Sequence, residues 1–145
     1  MKILIDTNVT IDVILENQPF LASSVKVFGL AELGIKLFLS ASAITDIYYI
    51  VSRAKKSKKI AMSLIKDLLE SVDVAAVTGN EIRQAVSLDW DDFEDAVQYA
   101  AGESIAVDYI VTRNKADFAS ATLPVVSPYE LLALLTTGSH PGDEG

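Results

Sequence analysis

Residues 2–15 read KILIDTNVTIDVIL and contain the pattern that decides the fold. Three consecutive apolar residues, Ile3 to Ile5, predict a short strand buried within a parallel sheet. This strand stops at Asp6, and the stretch from Val9 to Leu15 has the length and apolar content of a helix. A buried strand that ends in polar residues and leads into a helix is typical of the first unit of an α/β fold.

The rest of the chain repeats this alternation of short apolar strands and helices. Further strands are predicted over 37–39, 73–77, 108–111 and 123–126. Helices are predicted over 19–33, 42–53, 60–71 and 128–135, one more begins at 78, and the stretch 89–95 leads into a helix that ends at about 101. The predicted fold is therefore a three-layer α/β/α sandwich with a mostly parallel central sheet. We expect a single domain over 1–137 and a flexible C-terminal tail over 138–145.

The composition excludes several kinds of active site. The 145 residues include no cysteine, so disulfides, thiolate metal sites and cysteine nucleophiles are excluded. The one histidine, His140, lies in the predicted tail, which leaves the domain without a Ser-His-Asp triad. With 12 basic and 20 acidic residues, the net charge is −8, so nucleic acid would need a metal or a local basic patch. Neither a signal peptide nor an apolar run of membrane-spanning length is evident, and we expect a cytoplasmic protein without a membrane partner.

Four acids are placed where one edge of the predicted sheet would gather them. Asp6 follows the first strand, Asp46 lies early in the helix after the second, and Asp95 and Asp117 flank the fourth. Ligands of parallel α/β sheets bind beyond the carboxyl ends of the strands. Clustered carboxylates repel one another unless a cation neutralises them, and oxygen-only sites suit Mg²⁺ or Mn²⁺. Taken singly, each acid could equally be a turn residue, a helix cap or a solvated side chain.

Neutral and basic residues complete the candidate site. Asn8, Thr112 and Asn114 are possible hydrogen-bonding partners for a phosphate, a bound water or one of the acids. The run RAKKSKK at 53–59 contains the possible RNA contacts, although such runs are often only solvated surface; these are Arg53, Lys55, Lys56, Lys58 and Lys59.

Helical spacing separates the residues after 92 into two faces. Phe93 and Val97 are predicted on the buried face, whereas Asp95 and Tyr99 are predicted on the opposite one. Asp46 and Arg53 likewise share the polar face of the helix over 42–53. A divalent ion among such acids could lower the pKa of a bound water and stabilise a transferring phosphoryl group, which would replace the missing histidines.

Four blocks of sequence, taken in order, resemble the PIN-domain nucleases. They are ILIDTNV near the N-terminus, SASAITDIYYI after the second strand, DFEDAVQYAA, and DYIVTRNKADF. The resemblance extends from Lys2 to about Leu135. It implies an α/β/α fold and a ribonuclease site dependent on Mg²⁺ or Mn²⁺.

The resemblance also assigns roles to individual residues. Asp6, Asp46, Asp95 and Asp117 match the family's four acids, and Asp46 stands where many members have glutamate. Thr112 matches the family's hydroxyl position, and Asn114 an accessory polar position. Many bacterial and archaeal members resemble VapC toxins, which are homodimers inhibited by a small antitoxin protein; this implies both kinds of partner here.

Three other classes share acids at strand ends. A receiver domain needs an acidic pair after the first strand, and a haloacid-dehalogenase phosphatase needs DxD there, whereas this chain has Asp6-Thr7-Asn8. Both are therefore disfavoured. The third class is a PIN-like RNA-binding or assembly module with weak or no catalytic activity. Because all four site positions are acidic, the active ribonuclease is preferred over this module.

Overall fold

The computed structural model describes residues 1–136. Residue 137 and the predicted tail over 138–145 lie outside the described residues. Within the described part, no helix is both long and apolar enough to cross a membrane.

The described residues form five strands and seven α-helices, with helices between successive strands. The strands are β1 (Lys2–Ile5), β2 (Lys36–Ser40), β3 (Asp73–Ala75), β4 (Tyr109–Val111) and β5 (Val125–Val126). The helices are α1 (Thr7–Ile14), α2 (Leu21–Gly29), α3 (Ala41–Lys55), α4 (Lys58–Ser71), α5 (Gly79–Leu88), α6 (Phe93–Ser104) and α7 (Pro128–Thr136). Short 3₁₀ helices cover Leu30–Leu33 and Lys115–Phe118.

The strands form one sheet in the order β3-β2-β1-β4-β5, and every neighbouring pair is parallel. β1 lies at the centre, with Ile3 opposite Leu37 of β2 on one side and Tyr109 of β4 on the other. The chain leaves β1 towards β2 and later returns to β4, so the direction of winding reverses between β1 and β4. Such a reversal opens a crevice at the carboxyl ends of the two strands.

Helices cover both faces of the sheet, which confirms the three-layer prediction. Ile3 and Ile5 belong to an apolar core shared with α1 to α4 and α7, whereas Leu4 belongs to a second core with α6. Gly102 allows α6 to pack closely on β1, because a Cβ there would lie 3.0 Å from Leu4 Cδ2. This close packing holds α6, and the acids of its first turn, against the end of the central strand.

The face assignment for α6 was wrong. Phe93 is 49% exposed and Tyr99 only 2% exposed. Tyr99 packs against Trp90, with ring centroids 5.0 Å apart, and its hydroxyl lies 2.7 Å from Thr122 Oγ1. Every residue from Asp95 to Gly102 is buried, so α6 has no solvent face in that segment. A two-faced pattern does not describe a helix that is enclosed on all sides.

The second predicted helix is shorter than expected. The prediction covered 19–33, but α2 ends at Gly29 and a 3₁₀ helix continues to Leu33. Gly34 ends this segment with a left-handed backbone, φ 84°, a conformation that glycine adopts readily at the C-terminus of a helix.

Candidate active site

Asp6 lies at the crevice, directly after the central strand. Its backbone N–H donates to the carbonyl of Val111, which fixes it beside the end of β4. Oδ1 accepts from the Thr7 N–H at 2.7 Å and caps α1. Although Asp6 is only 5% exposed, it has no cationic partner among the described residues. Burial, the largest cause, raises its pKa, and nearby Asp117 raises it further.

Thr112 joins the ends of the two strands. This fully buried residue donates from Oγ1 to Asp6 Oδ2 at 2.7 Å, and Oγ1 accepts from the Asn114 N–H at 3.0 Å. The Asn8 side chain reaches the same hydroxyl at 3.5 Å and accepts from the Arg113 N–H. The hydrogen bond from Thr112 lowers the pKa of Asp6 and so favours its ionised form.

Asp95 is brought to Asp6 by the first turn of α6. Asp92 caps this helix by accepting from the Asp95 N–H at 3.1 Å. Asp95 is 8% exposed, and its pKa is raised to about 7, first by burial and then by the charges of Asp6, Asp92, Asp117 and Glu94. A carboxyl group with a pKa near neutrality is typical of a functional site.

Asp117 approaches from the loop after β4. It lies in the 3₁₀ helix, and Asn114 Nδ2 donates to its Oδ2 at 2.7 Å. Asp117 is solvent-exposed, and its charge contributes to the raised pKa values of both Asp6 and Asp95. One concave surface, called here the acidic cleft, is lined by Asp6, Asp92, Glu94, Asp95 and Asp117.

Asp46 lies beside this cleft rather than within it. It lines an adjoining cavity with Tyr49, Arg53 and Glu94. Glu94 lines both cavities, and its pKa is raised chiefly by the charge of Asp46. Glu94 therefore lies between Asp46 in one cavity and Asp6, Asp95 and Asp117 in the other.

Glu94 was not among the predicted site residues. The prediction selected a single acid, Asp95, from the stretch 89–95, and Glu94 is its immediate neighbour. The available signal was the acidic run DWDDFED at 89–95, in which helical geometry lets consecutive residues face two adjoining cavities.

Gln98 is a second residue that the sequence interpretation missed. It is 4% exposed, lines the acidic cleft and donates a hydrogen bond that lowers the pKa of Asp6. Its Oε1 is buried without a hydrogen-bonding partner among residues 1–136. Its position one helical turn after Asp95 was the available signal.

The basic run divides between two locations. Arg53 lines the cavity of Asp46, whereas the four lysines line neither that cavity nor the acidic cleft. These lysines are exposed around the turn between α3 and α4; they are Lys55, Lys56, Lys58 and Lys59. Of the five basic residues in this run, only Arg53 therefore lies next to the acids.

The chemistry of the cleft fits a hard cation that retains water. Its donors are carboxylates together with the unpartnered Gln98 Oε1, and all of them are oxygens. Within residues 1–136, no group of three or more acidic or histidine side chains is arranged to hold an ion. Mg²⁺ commonly takes one or two carboxylates and keeps several waters, so the residues fit an ion bound in that way.

Replacing Thr112 by valine tests the hydrogen bonds at the strand ends. We expect Thr112→Val to lower the free energy of unfolding by about 1–3 kcal/mol, because the Asn114 N–H and Asp6 Oδ2 each lose a partner. Thr112→Ser keeps the hydroxyl and is the control. Urea unfolding measures both variants, and equal stabilities would show that these hydrogen bonds contribute nothing.

The reversal of winding at β1 and β4, with acids gathered at the strand ends, defines the class of protein. Residues 2–116 match the family model described as PIN domain, and the chain belongs to that family.

Particular relatives are similar over nearly the whole chain. Ribonuclease VapC1 from Aquifex aeolicus is 26% identical over 137 residues, which cover 89% of this chain and 92% of the relative. The solved VapBC-1 from nontypeable Haemophilus influenzae has a TM-score of 0.70 at 15% identity, covering 89% of this chain and 99% of the other. A toxin–antitoxin complex from Klebsiella pneumoniae has a TM-score of 0.65 at 19% identity, with 87% and 97% covered.

Proposed function

We propose that this PIN domain is an endoribonuclease that hydrolyses RNA phosphodiester bonds with Mg²⁺ or Mn²⁺ bound among its acids. The observation that supports this most directly is that Asp6, Asp95 and Asp117 line one cleft. Burial and the charges of Asp6 and Asp117 raise the pKa of Asp95, and burial and the charge of Asp117 raise the pKa of Asp6. Uncompensated carboxylates at a strand-end crevice favour a cation there. The similarity to a protein named as a ribonuclease supports the same class of reaction.

Each acid has a proposed role. Asp6, Asp95 and Asp117 hold the ion, and Asp46 assists from the adjoining cavity together with Glu94. When bound, the ion supplies an activated water and stabilises charge on the phosphoryl group. Thr112 and Gln98 offset part of the burial effect on Asp6 by lowering its pKa, which favours the carboxylate form, and Asn114 orients Asp117. The product ends are a 5′-phosphate and a 3′-hydroxyl, as the family resemblance implies.

The proposed RNA contacts lie on one side of this site. Arg53 is the closest of the predicted basic residues, because it lines the same cavity as Asp46. The exposed lysines of the turn between α3 and α4 provide a second, more distant group of positive charges. Such charges offset the net charge of −8 when RNA approaches.

We propose that the chain is the toxin of a toxin–antitoxin pair. Its similarity to a solved toxin–antitoxin complex supports a small antitoxin as partner. We also propose that the chain is a homodimer, as the resemblance to VapC toxins implies, and that it acts in the cytoplasm.

RNA cleavage by the purified chain tests the function. We expect single-stranded RNA to be cut when Mn²⁺ or Mg²⁺ is present and to remain intact in EDTA. The product ends should carry a 5′-phosphate. RNA that is bound but not cleaved at millimolar Mn²⁺ would instead favour the alternative function, a PIN-like RNA-binding or assembly module without activity.

A further inference from the structure

Among residues 1–136, Arg113 is the only basic residue that lines the acidic cleft. Its guanidinium is held on one edge by Asp12, with Nε 2.7 Å from Oδ2 and Nη2 3.2 Å from Oδ1. The Asp12 side chain is fully buried, and Asn17 Nδ2 also donates to it at 3.0 Å. This paired geometry fixes the plane of the guanidinium as well as its position.

Phe20 holds the same group from another direction. The guanidinium carbon of Arg113 lies 4.4 Å from the centre of the Phe20 ring, a cation–π distance. Asp12 therefore occupies one edge of the guanidinium, and the phenyl ring covers one face. The side chain of Arg113 nevertheless remains 35% exposed.

The opposite edge of the guanidinium has no partner. Within the described residues, Nη1 donates to no acceptor, although the cleft contains five carboxylates. A buried carboxylate destabilises the fold unless it is paired, which accounts for the guanidinium edge that contacts Asp12. It does not account for the exposed edge, whose donors are unused. Donors that remain free at the edge of a nuclease cleft suit a phosphate, which binds guanidinium through paired hydrogen bonds.

We propose that Arg113 binds a phosphate of the RNA strand next to the cleaved bond, and that Asp12 is a positioning residue that orients it. This inference rests on the proposed function and adds a contact that neither the basic run nor the acids provide. The Asp12 pair reduces the entropy that Arg113 would lose on binding, because its side chain is already held in place. The contact holds the RNA strand across a cleft whose carboxylates would otherwise repel its phosphates.

The salt dependence of RNA binding tests this contact. A short fluorescein-labelled single-stranded RNA is titrated with the Asp95→Asn protein, which we expect to bind without cleaving, between about 50 and 200 mM salt. Neutralising one phosphate of a single strand contributes about 0.7 to the slope of log K against log salt. We expect Arg113→Met, which keeps an unbranched side chain over Phe20, to reduce the magnitude of this slope by about 0.7. Arg113→Lys should retain the slope, because it retains the charge.

Lys115→Met is the matched control. Lys115 lies in the same loop but pairs with Glu130 at the surface, at 3.0 Å, and does not line the cleft. Its loss removes the same charge and should change the slope by much less than 0.7.

The possible outcomes separate this inference from the proposed function. An unchanged slope in Arg113→Met, or equal changes in Arg113→Met and Lys115→Met, would overturn the phosphate contact alone. A purely structural role predicts that Arg113→Met and Arg113→Lys both lower the urea midpoint and leave the slope unchanged. Failure of the parent Asp95→Asn chain to bind any RNA would overturn the proposed function together with this inference.

Discussion

Asp95→Asn should reduce RNA cleavage about 100-fold or more while leaving the fold at least as stable as that of the parent chain. Loss of this carboxylate removes a proposed ligand from the centre of the acidic cleft. Metal-assisted stabilisation of a phosphoryl group is worth several kcal/mol, and each 1.36 kcal/mol is a tenfold change in rate. Asparagine has nearly the same shape, so the packing of α6 is preserved.

The stability gain has a defined pH dependence in metal-free protein. The pKa of Asp95 is about 7 in the fold against 3.8 ordinarily, so the folded state binds this proton more tightly than the unfolded state. Stability contributed by the bound proton is present below about pH 4 and is lost as the pH rises to about 7. Asp95→Asn avoids that loss. We expect a gain of roughly 1–2 kcal/mol above pH 7, which is less than the full pKa shift would give, because solvent reduces the cost of burial and screens part of the repulsion.

Asp91→Asn is the matched control for both effects. Asp91 is an exposed acid of the same run and does not line the acidic cleft. Urea unfolding in EDTA from pH 4 to pH 8 and a cleavage assay in Mn²⁺ measure the two variants side by side. If Asp95→Asn unfolds the chain, or if it cleaves as fast as Asp91→Asn, then Asp95 is not part of the active site.

The positions of Asp6 and Thr112 could be predicted because the change from apolar to polar residues marks where each strand ends. Ile3 to Ile5 and Tyr109 to Val111 are short and apolar, and the next polar residue marks the edge of the sheet. Parallel topology then places both residues at the same edge, and the order β2-β1-β4 makes them neighbours. Local sequence and general rules of topology sufficed for this part of the site.

Residues on α6 were harder to predict, because this helix is enclosed by its surroundings. Tyr99 packs against Trp90 in the loop before α6, and its hydroxyl contacts Thr122 in the loop before β5. The buried state of Asp95 and Gln98 likewise depends on how closely α6 approaches β1. Spacing within one helix contains no information about what covers its second face.

The pair formed by Asp12 and Arg113 illustrates a second limit. The two residues are separated by 101 positions, and neither motif that contains them requires the other. Their pairing arises because α1 follows β1 and the Arg113 loop follows the adjacent strand β4. Contacts between the segments that follow neighbouring strands depend on the lengths and orientations of their side chains. The order of the strands alone does not specify these.

Mn²⁺ added to the metal-free protein should raise its melting temperature. An ion that binds only the folded state at about ten times its dissociation constant adds about 1.4 kcal/mol. In a chain of this length, that corresponds to an increase of about 3–6 °C. The ion would also relieve the repulsion that raises the pKa values of Asp6 and Asp95, so its effect should be larger at pH 8 than at pH 5.

Variants of the acids locate the ion that causes this shift. Asp6→Asn keeps an oxygen that can accept from the Thr7 N–H, so α1 remains capped, but the negative charge is lost. We expect Asp6→Asn and Asp95→Asn to lose most of the Mn²⁺ shift and Asp91→Asn to retain it, as measured by thermal unfolding with EDTA as the reference. The same shift in all three variants would place the ion outside the acidic cleft, and the ribonuclease site assigned to these carboxylates would then be wrong.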